Sequence, residues 1–126
     1  MAISQVNNFK YIFYKKMPFE KPNDMGEFRT LVMGLGEKKC FVQVSTEWCG
    51  PCQGIKVQME QLSTDLADSY VFVYIDCDKC EQMQELFQIA TMPTFLIFKG
   101  PGMPSARYEG ALPDKIREFA NEHKDA

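Results

Sequence analysis

Apolar positions change their spacing several times along residues 40–98, and the changes predict alternating strands and helices. Residues 40–45 and 70–75 are short runs rich in β-branched and aromatic side chains, as strands are. Between them, apolar residues recur at spacings of four, three and four, which aligns them on one helix face: Ile55, Met59, Leu62 and Leu66. Because residues 70–75 are continuously apolar, we expect that strand to be covered on both faces. The first half of the pattern therefore predicts a β-α-β unit.

The second half of the pattern predicts another helix and then a hairpin. Asp76 and Asp78 are expected to begin the helix, because short polar side chains cap helix N-termini. Its apolar face would consist of Met83, Leu86 and Phe87. Thr94–Phe98 is a predicted strand, and the Lys-Gly-Pro-Gly turn at residues 99–102 favours a return strand at residues 105–109.

Glycine and proline mark the last helix. Gly110 closes the return strand, and Pro113 suits the first turn of a helix, where an N–H group has no partner anyway. The apolar face of this helix consists of Ile116, Phe119 and Ala120. A β-α-β unit followed by a hairpin and a helix predicts an α/β fold, with a central mixed sheet flanked by helices on both faces.

The first residues are assigned to a separate segment. Residues 9–14 are predicted as an edge strand, and residues 25–35 as a short helix that ends at Gly36. We expect residues 1–24 to form an N-terminal extension or edge strand, and residues 25–126 to form one domain.

Composition and charge narrow the class of protein. Of the 126 residues, 45% are hydrophobic, which is enough for one domain with its own core. A net charge of −3 argues against nucleic acid as a partner, and no apolar run approaches the ~18 residues that a membrane helix needs. Five cysteines are an odd number and too few for a disulfide-stapled secreted scaffold. We therefore expect a cytoplasmic monomer, with a cleaved organellar targeting peptide as the alternative.

Residues 48–52 read Trp-Cys-Gly-Pro-Cys, and this motif carries the chemistry. It follows a predicted strand and begins a predicted helix, whose N–H groups and partial positive charge favour a thiolate at Cys49. Pro51 is expected at the first helical position. Because thiolates are the nucleophiles of disulfide exchange, Cys49 and Cys52 are predicted to open and close a disulfide. Zinc binding and simple burial of the pair are the alternatives.

The chain resembles the thioredoxins over roughly residues 25–122. The resemblance rests on this motif with Glu47 before it, and on three later segments: Met92-Pro93-Thr94, Phe98-Lys99-Gly100 and Gly110-Ala111. It implies a thioredoxin fold and a thiol-disulfide oxidoreductase that reduces disulfides in target proteins. It also implies electrons from NADPH through a separate thioredoxin reductase, with no bound cofactor and no metal.

The resemblance assigns a role to each residue of the site. Cys49 is the expected nucleophile and Cys52 the resolving cysteine, and the intervening Gly50 and Pro51 resemble the reducing branch of the superfamily. A shallow apolar surface for the target is expected from Trp48, the backbone at Met92, Pro93 and Gly110. A cis peptide bond before Pro93 is expected on the same ground.

Several residues near the dithiol depart from the family pattern, and two of them replace a buried charged pair. Thioredoxins typically have a buried aspartate six residues before the first cysteine, where this chain has Gln43, and the accompanying lysine corresponds to Phe72. The aspartate is thought to accept the proton of the second cysteine, which a glutamine amide cannot do at neutral pH. Because both members of the charged pair are absent, no unpaired buried charge is left. We therefore predict a working dithiol in which Cys52 resolves the mixed disulfide slowly.

A second Cys-x-x-Cys pair, Cys77 and Cys80, lies where the central strand is expected to end. Three hypotheses stay open for it: inert thiols, a regulatory disulfide, and a four-thiolate zinc site shared with Cys49 and Cys52. Cys40 begins a predicted core strand and is interpreted as a small buried hydrophobic residue.

A second class of function stays open beside the reductase. Thioredoxin-like domains also serve as binding subunits of larger assemblies, such as ciliary dynein light chains, with slow or vestigial redox activity. The N-terminal segment and the changes at Gln43 and Phe72 favour this hypothesis. The intact motif, together with Pro93 and Gly110, favours the reductase.

Overall fold

The structure is a computed structural model, and it describes residues 19–125. The helices are α1 Met25–Met33, α2 Gly50–Gly54, α3 Lys56–Asp65, α4 Gln82–Leu86 and α5 Pro113–His123. The strands are β1 Lys39–Ser45, β2 Tyr70–Asp76, β3 Thr94–Phe98 and β4 Ala106–Glu109. The edge strand expected at residues 9–14 lies outside the described residues, and the expected domain boundary after residue 24 stays a prediction.

The four strands form one mixed sheet in the order β2-β1-β3-β4. β1 and β2 are parallel, whereas β1 with β3 and β3 with β4 are antiparallel. The β-α-β unit and the hairpin are therefore confirmed. Among the strands of residues 19–125, β1 pairs on both of its sides and β2 pairs with β1, so the central position expected for β2 stays a prediction. On its other side, β2 forms backbone hydrogen bonds with Glu20, the one residue within 19–125 that pairs there. Glu20 N donates to Phe72 O, and Tyr74 N donates to Glu20 O, each at 2.8 Å.

Helices cover both faces of the sheet, and each face has its own apolar core. On one face, α1 and α4 pack against side chains that include Val42, Val44 and Leu96. On the other face, α3 and α5 pack against a set rich in aromatic rings, which includes Phe41, Tyr70, Phe72 and Phe95. Burial on both faces explains why β3 reads as a continuous apolar run rather than an alternating one.

The helix after the dithiol is divided, where the sequence predicts one continuous helix. α2 ends at Gly54, and Ile55 has the non-helical angles φ −106° and ψ 8°. Glycine is a poor helix former, and the side chain of Ile55 is buried in the aromatic core. The chain turns at this point, and Met59 N then donates to Ile55 O at 2.9 Å in the first turn of α3.

α4 begins later than predicted. Asp76 is the last residue of β2, and its carboxylate accepts a hydrogen bond from Asp78 N at 2.9 Å. The two aspartates thus form a turn instead of a helix cap, and the helix starts at Gln82. Of its predicted apolar face, Met83 and the flanking Phe87 are buried, but Leu86 is 49% exposed.

The first helix matches its predicted range with a small shift at its end, and the last helix matches its predicted face. α1 stops at Met33, capped by Gly34, and Gly36 adopts a left-handed φ of 65° in the turn that follows. In α5 the predicted residues Ile116, Phe119 and Ala120 are buried. No helix within residues 19–125 has the length and apolar character needed to cross a bilayer.

Candidate active site

Cys49 and Cys52 lie at the junction of β1 and α2 and form a disulfide, with their Cα atoms 5.3 Å apart. Cys49 is the N-cap residue of α2, and its Sγ accepts a hydrogen bond from Cys52 N at 3.2 Å. Pro51 is the second helical residue rather than the first, because the helix begins at Gly50; its missing N–H is still one that has no helical partner. Both cysteines are nearly buried, at 7% and 3% exposure.

The loop before β3 lies against the disulfide. The Met92–Pro93 peptide bond is cis, as expected, and the Sγ atom of Cys49 lies 3.7 Å from the carbonyl oxygen of Met92. The other side of this loop is held by Gly110, whose N–H donates to Pro93 O at 3.2 Å. Pro93 is buried and Met92 half-buried. The structure therefore brings Cys49, Met92, Pro93 and Gly110 together.

Gly110 is at a position that requires glycine. Its φ of 143° lies in the left-handed half of the backbone map, which side chains disfavour. A Cβ atom there would lie 3.0 Å from the phenolic oxygen of Tyr108. The approach of the Gly110 backbone to Pro93 therefore depends on the absence of a side chain.

Trp48 lies at the surface beside the dithiol. Its ring is 75% exposed, and its indole N–H donates to the carboxylate of Asp78 at 3.2 Å. Asp78 is in the turn after β2, so this hydrogen bond links the dithiol to the segment that contains Cys77 and Cys80. Sequence reasoning treated Asp78 only as a helix cap and missed this contact.

A family model for thioredoxin matches residues 21–122. That match covers most of the chain, including both cysteines, the cis-proline loop and Gly110. The chain belongs to the thioredoxin family.

Individual thioredoxins resemble the chain to different extents. Chloroplastic thioredoxin Y of Oryza sativa subsp. japonica is 42% identical over 77 residues, which are 61% of this chain but only 45% of that protein. The thioredoxin of Ovis aries is 34% identical over 95 residues, covering 75% of this chain and 89% of the sheep protein. The thioredoxin structure of Fasciola hepatica matches with a TM-score of 0.76 and 26% identity, over 83% of this chain and 99% of that one.

The predicted thioredoxin fold is confirmed by these comparisons and by the mixed sheet with helices on both faces. The Cys49–Cys52 disulfide is the redox-active pair of a thiol-disulfide oxidoreductase. The roles assigned to the other site residues stay predictions, and the structure shows only where they lie.

Gln43 lies on β1, on the face that carries the dithiol helix. It is 4% exposed, and its side-chain amide donates to the hydroxyl of Ser45 at 3.0 Å. Across the parallel pair it is level with Tyr74 of β2. Ser45 was missed by the sequence analysis, although residues two apart on a strand share a face and so give a signal.

Phe72, which is expected to correspond to the family's lysine, is part of the aromatic core. It is 2% exposed, and its ring packs against Phe19, Phe41 and Tyr70 at centroid distances of 5.5, 5.2 and 5.7 Å. An ammonium group among these rings would be buried without a partner, because the residue at position 43 is an amide. The two departures from the family pattern are therefore compatible with each other.

Cys77 and Cys80 are buried free thiols, at 4% and 1% exposure. Burial, assisted by the charges of Asp76 and Asp78, raises the pKa of Cys77 to about 11. Burial also raises the pKa of Cys80. Both thiols are therefore protonated at neutral pH and are weak nucleophiles, which favours the hypothesis of inert thiols over a regulatory disulfide.

The four Cys-x-x-Cys thiols do not gather around a common point. Within residues 19–125, no three or more histidine, cysteine or acidic side chains are grouped so that they could hold a metal ion. Cys40 is fully buried, and burial raises its pKa to about 12, in agreement with a hydrophobic core residue.

Proposed function

We propose that this chain reduces disulfide bonds in target proteins through its Cys49–Cys52 pair. The observation that carries the proposal is the position of the Cys49 sulfur. It accepts the N–H of Cys52 at 3.2 Å and lies 3.7 Å from the Met92 carbonyl of the cis-proline loop. A sulfur that accepts a backbone hydrogen bond is stabilised as the thiolate, which is the attacking form.

The first step is an exchange at Cys49. In the reduced protein, the Cys49 thiolate attacks one sulfur of a target disulfide. The target S–S bond breaks, a bond forms between Cys49 and the target, and the other target sulfur leaves as a thiolate.

The second step uses Cys52. Its sulfur loses a proton and attacks the Cys49 sulfur, so that the second target thiolate leaves and the Cys49–Cys52 disulfide forms. Two electrons have then passed from the chain to its target. We propose that NADPH returns them through a separate thioredoxin reductase, and that the chain itself binds no cofactor.

The target is proposed to lie across Trp48, Met92, Pro93 and Gly110. Trp48 supports this role by its 75% exposure, since large aromatic side chains at a surface are favourable contact points. The backbone of Met92 lies near the attacking sulfur, where an extended peptide would be held by main-chain hydrogen bonds. The Gly-Pro pair at residues 50–51 supports the reducing direction.

The setting of the protein also stays a proposal. We propose a cytoplasmic monomer that binds neither nucleic acid nor membranes. The rice relative is named as a chloroplast protein, and the sheep relative carries no compartment in its name. Subcellular fractionation with an antibody tests the compartment, and recovery in an organelle with a shortened N-terminus would contradict a cytoplasmic location.

Trapping with Cys52→Ser tests the proposed function. Without the resolving thiol, the mixed disulfide between Cys49 and a target cannot be released, so targets are expected to remain covalently bound until dithiothreitol is added. The matched control is Cys49→Ser with Cys52→Ser, which lacks the nucleophile and should retain none of these proteins.

The same experiment separates the reductase from a binding subunit of a larger assembly. A docking subunit would hold the same partners in both variants and would release none of them on reduction. That result would contradict the proposal.

A further inference from the structure

A pocket lies behind the disulfide, on the sheet face that carries α3. Its volume is about 650 Å³. Its buried lining residues include Gln43 at 4%, Cys52 at 3% and Met59 at 3% exposure. Other lining residues, such as Lys21 and Lys56, are exposed, so the pocket connects Cys52 with the solvent.

The chemistry at Cys52 requires a proton acceptor, and the fully buried lining residues within positions 19–125 do not provide one. In the function proposed above, on which this inference rests, Cys52 must lose its proton before it attacks Cys49. The amide nitrogen of Gln43 already donates to Ser45, and an amide does not take up a proton at neutral pH. Met59 offers only a thioether, which is no base.

The charged groups of the described lining are exposed, except for Glu60 and Asp76, which are half-buried. The charged groups are three lysines and three carboxylates: Lys21, Lys56, Lys79, Glu47, Glu60 and Asp76. Tyr74 also lines the pocket, and its pKa is raised chiefly by burial, so it stays a neutral phenol. Because the formal charges of these described lining residues cancel, they do not strongly favour either sign of charge in the pocket. A small neutral base can therefore enter it.

We infer that the proton of Cys52 leaves through this pocket to a small base from solution. The class of base is a small neutral base, and imidazole is the probe. Its unprotonated nitrogen takes the proton from Cys52 Sγ, and the resulting thiolate forms the bond to Cys49 Sγ. The bond between Cys49 and the target breaks, and the target sulfur leaves with its electron pair.

The test measures how fast the mixed disulfide disappears in the wild-type chain. Reduced chain is mixed with a disulfide-containing peptide, quenched with acid, and analysed by intact mass for the mixed disulfide and the Cys49–Cys52 disulfide. Imidazole is varied at constant pH and ionic strength. The resolution rate is expected to rise linearly with imidazole, by about twofold or more over the accessible range. The attack by Cys49 is expected to stay constant, because pH alone sets its thiolate fraction.

Two variants locate the effect. Gln43→Glu has nearly the same shape as wild type but introduces a carboxylate beside Cys52, so its rate should be higher without imidazole and independent of it. Gln43→Asp serves the same purpose if the longer side chain of glutamate prevents folding. Lys56→Trp enlarges a side chain of the pocket wall, and its resolution rate should respond less steeply to imidazole than wild type.

Three results would overturn the inference. One is a wild-type resolution rate that does not change with imidazole. Another is an imidazole response that persists unchanged in both the Gln43 variants and Lys56→Trp. The third concerns Asp76→Asn and Glu47→Gln. If either variant resolved the mixed disulfide more slowly than wild type in the absence of imidazole, and imidazole did not raise its rate, the proton would be assigned to a carboxylate of the protein. If peptide reduction itself did not occur, the proposed function would fail instead.

Discussion

At the scale of single residues, the most consequential feature is an amide at position 43. Gln43 is buried next to the dithiol and hydrogen-bonds Ser45, so it fills the space without providing a base. The sequence alone predicts this difference, because residue 43 precedes Cys49 by six positions. It does not predict the pocket, which depends on how Phe19, Pro22 and α3 pack together.

The substitution Gln43→Asp is expected to speed resolution of the mixed disulfide. A carboxylate can accept the Cys52 proton, and we expect the lifetime of the mixed disulfide to fall by about tenfold. Acid-quenched time courses measure that lifetime. Gln43→Asn is the matched control, since asparagine has the same size as aspartate but no carboxylate to accept the proton. Equal lifetimes in the two variants would contradict the role given to this position.

Gly110→Ala is expected to destabilise the protein and weaken target reduction. The left-handed φ of 143° and the 3.0 Å approach of a Cβ atom to Tyr108 should together reduce the free energy of unfolding by about 1–3 kcal/mol. Urea denaturation measures the change. Gly54→Ala is the control, because no atom lies within 4 Å of its Cβ position and its φ is ordinary. A loss no larger than that of Gly54→Ala would show that position 110 does not require glycine.

At the scale of elements, long periodic segments are predicted well and short ones are not. The faces of α5 and the pairing of β3 with β4 follow from spacing and turn residues. The break at Ile55 and the late start of α4 do not, because they depend on what each side chain meets in the core. The hydrogen bonds that Arg107 donates to the carbonyls of Phe87 and Gln88 likewise join elements far apart in sequence.

The ends of β1 and α5 are joined through Lys39. Its ammonium group donates to His123 O at 3.0 Å and to Lys124 O at 2.7 Å, which satisfies carbonyls at the C-terminus of the helix. Lys39→Met is expected to lower the free energy of unfolding by about 1 kcal/mol, as measured in urea. Lys115→Met, which removes only an exposed ion pair with Glu118, should change it far less. Equal losses would argue against this contact.

The burial of Cys40 in β1 predicts a loss of stability at high pH. Its pKa is about 12 in the folded chain against 9.0 for an unperturbed thiol. Between these values the unfolded chain has released the proton while the folded chain retains it. The contribution of Cys40 is therefore complete below about pH 9 and is lost as the pH rises towards 12. Unfolding curves across this range should fall less steeply for Cys40→Ala than for wild type, and parallel slopes would contradict the prediction.

At the scale of the whole molecule, the fold and the redox pair agree with the sequence prediction. The motif at residues 48–52 and the order of strands and helices suffice for the family, and the comparisons confirm it. The contact between Glu20 and β2 is a property of the assembled sheet, because it depends on which edge β2 presents. No local pattern in residues 19–24 predicts it.

The most direct test of the account is NADPH-coupled reduction of a protein disulfide in the presence of a thioredoxin reductase. The wild-type chain is compared with Cys49→Ser at equal concentration, and the oxidation of NADPH is followed. We predict turnover by the wild-type chain and none by Cys49→Ser. Absence of turnover by a wild-type chain whose dithiol still exchanges with glutathione, or turnover that persists in Cys49→Ser, would contradict the claim that Cys49 and Cys52 reduce target proteins.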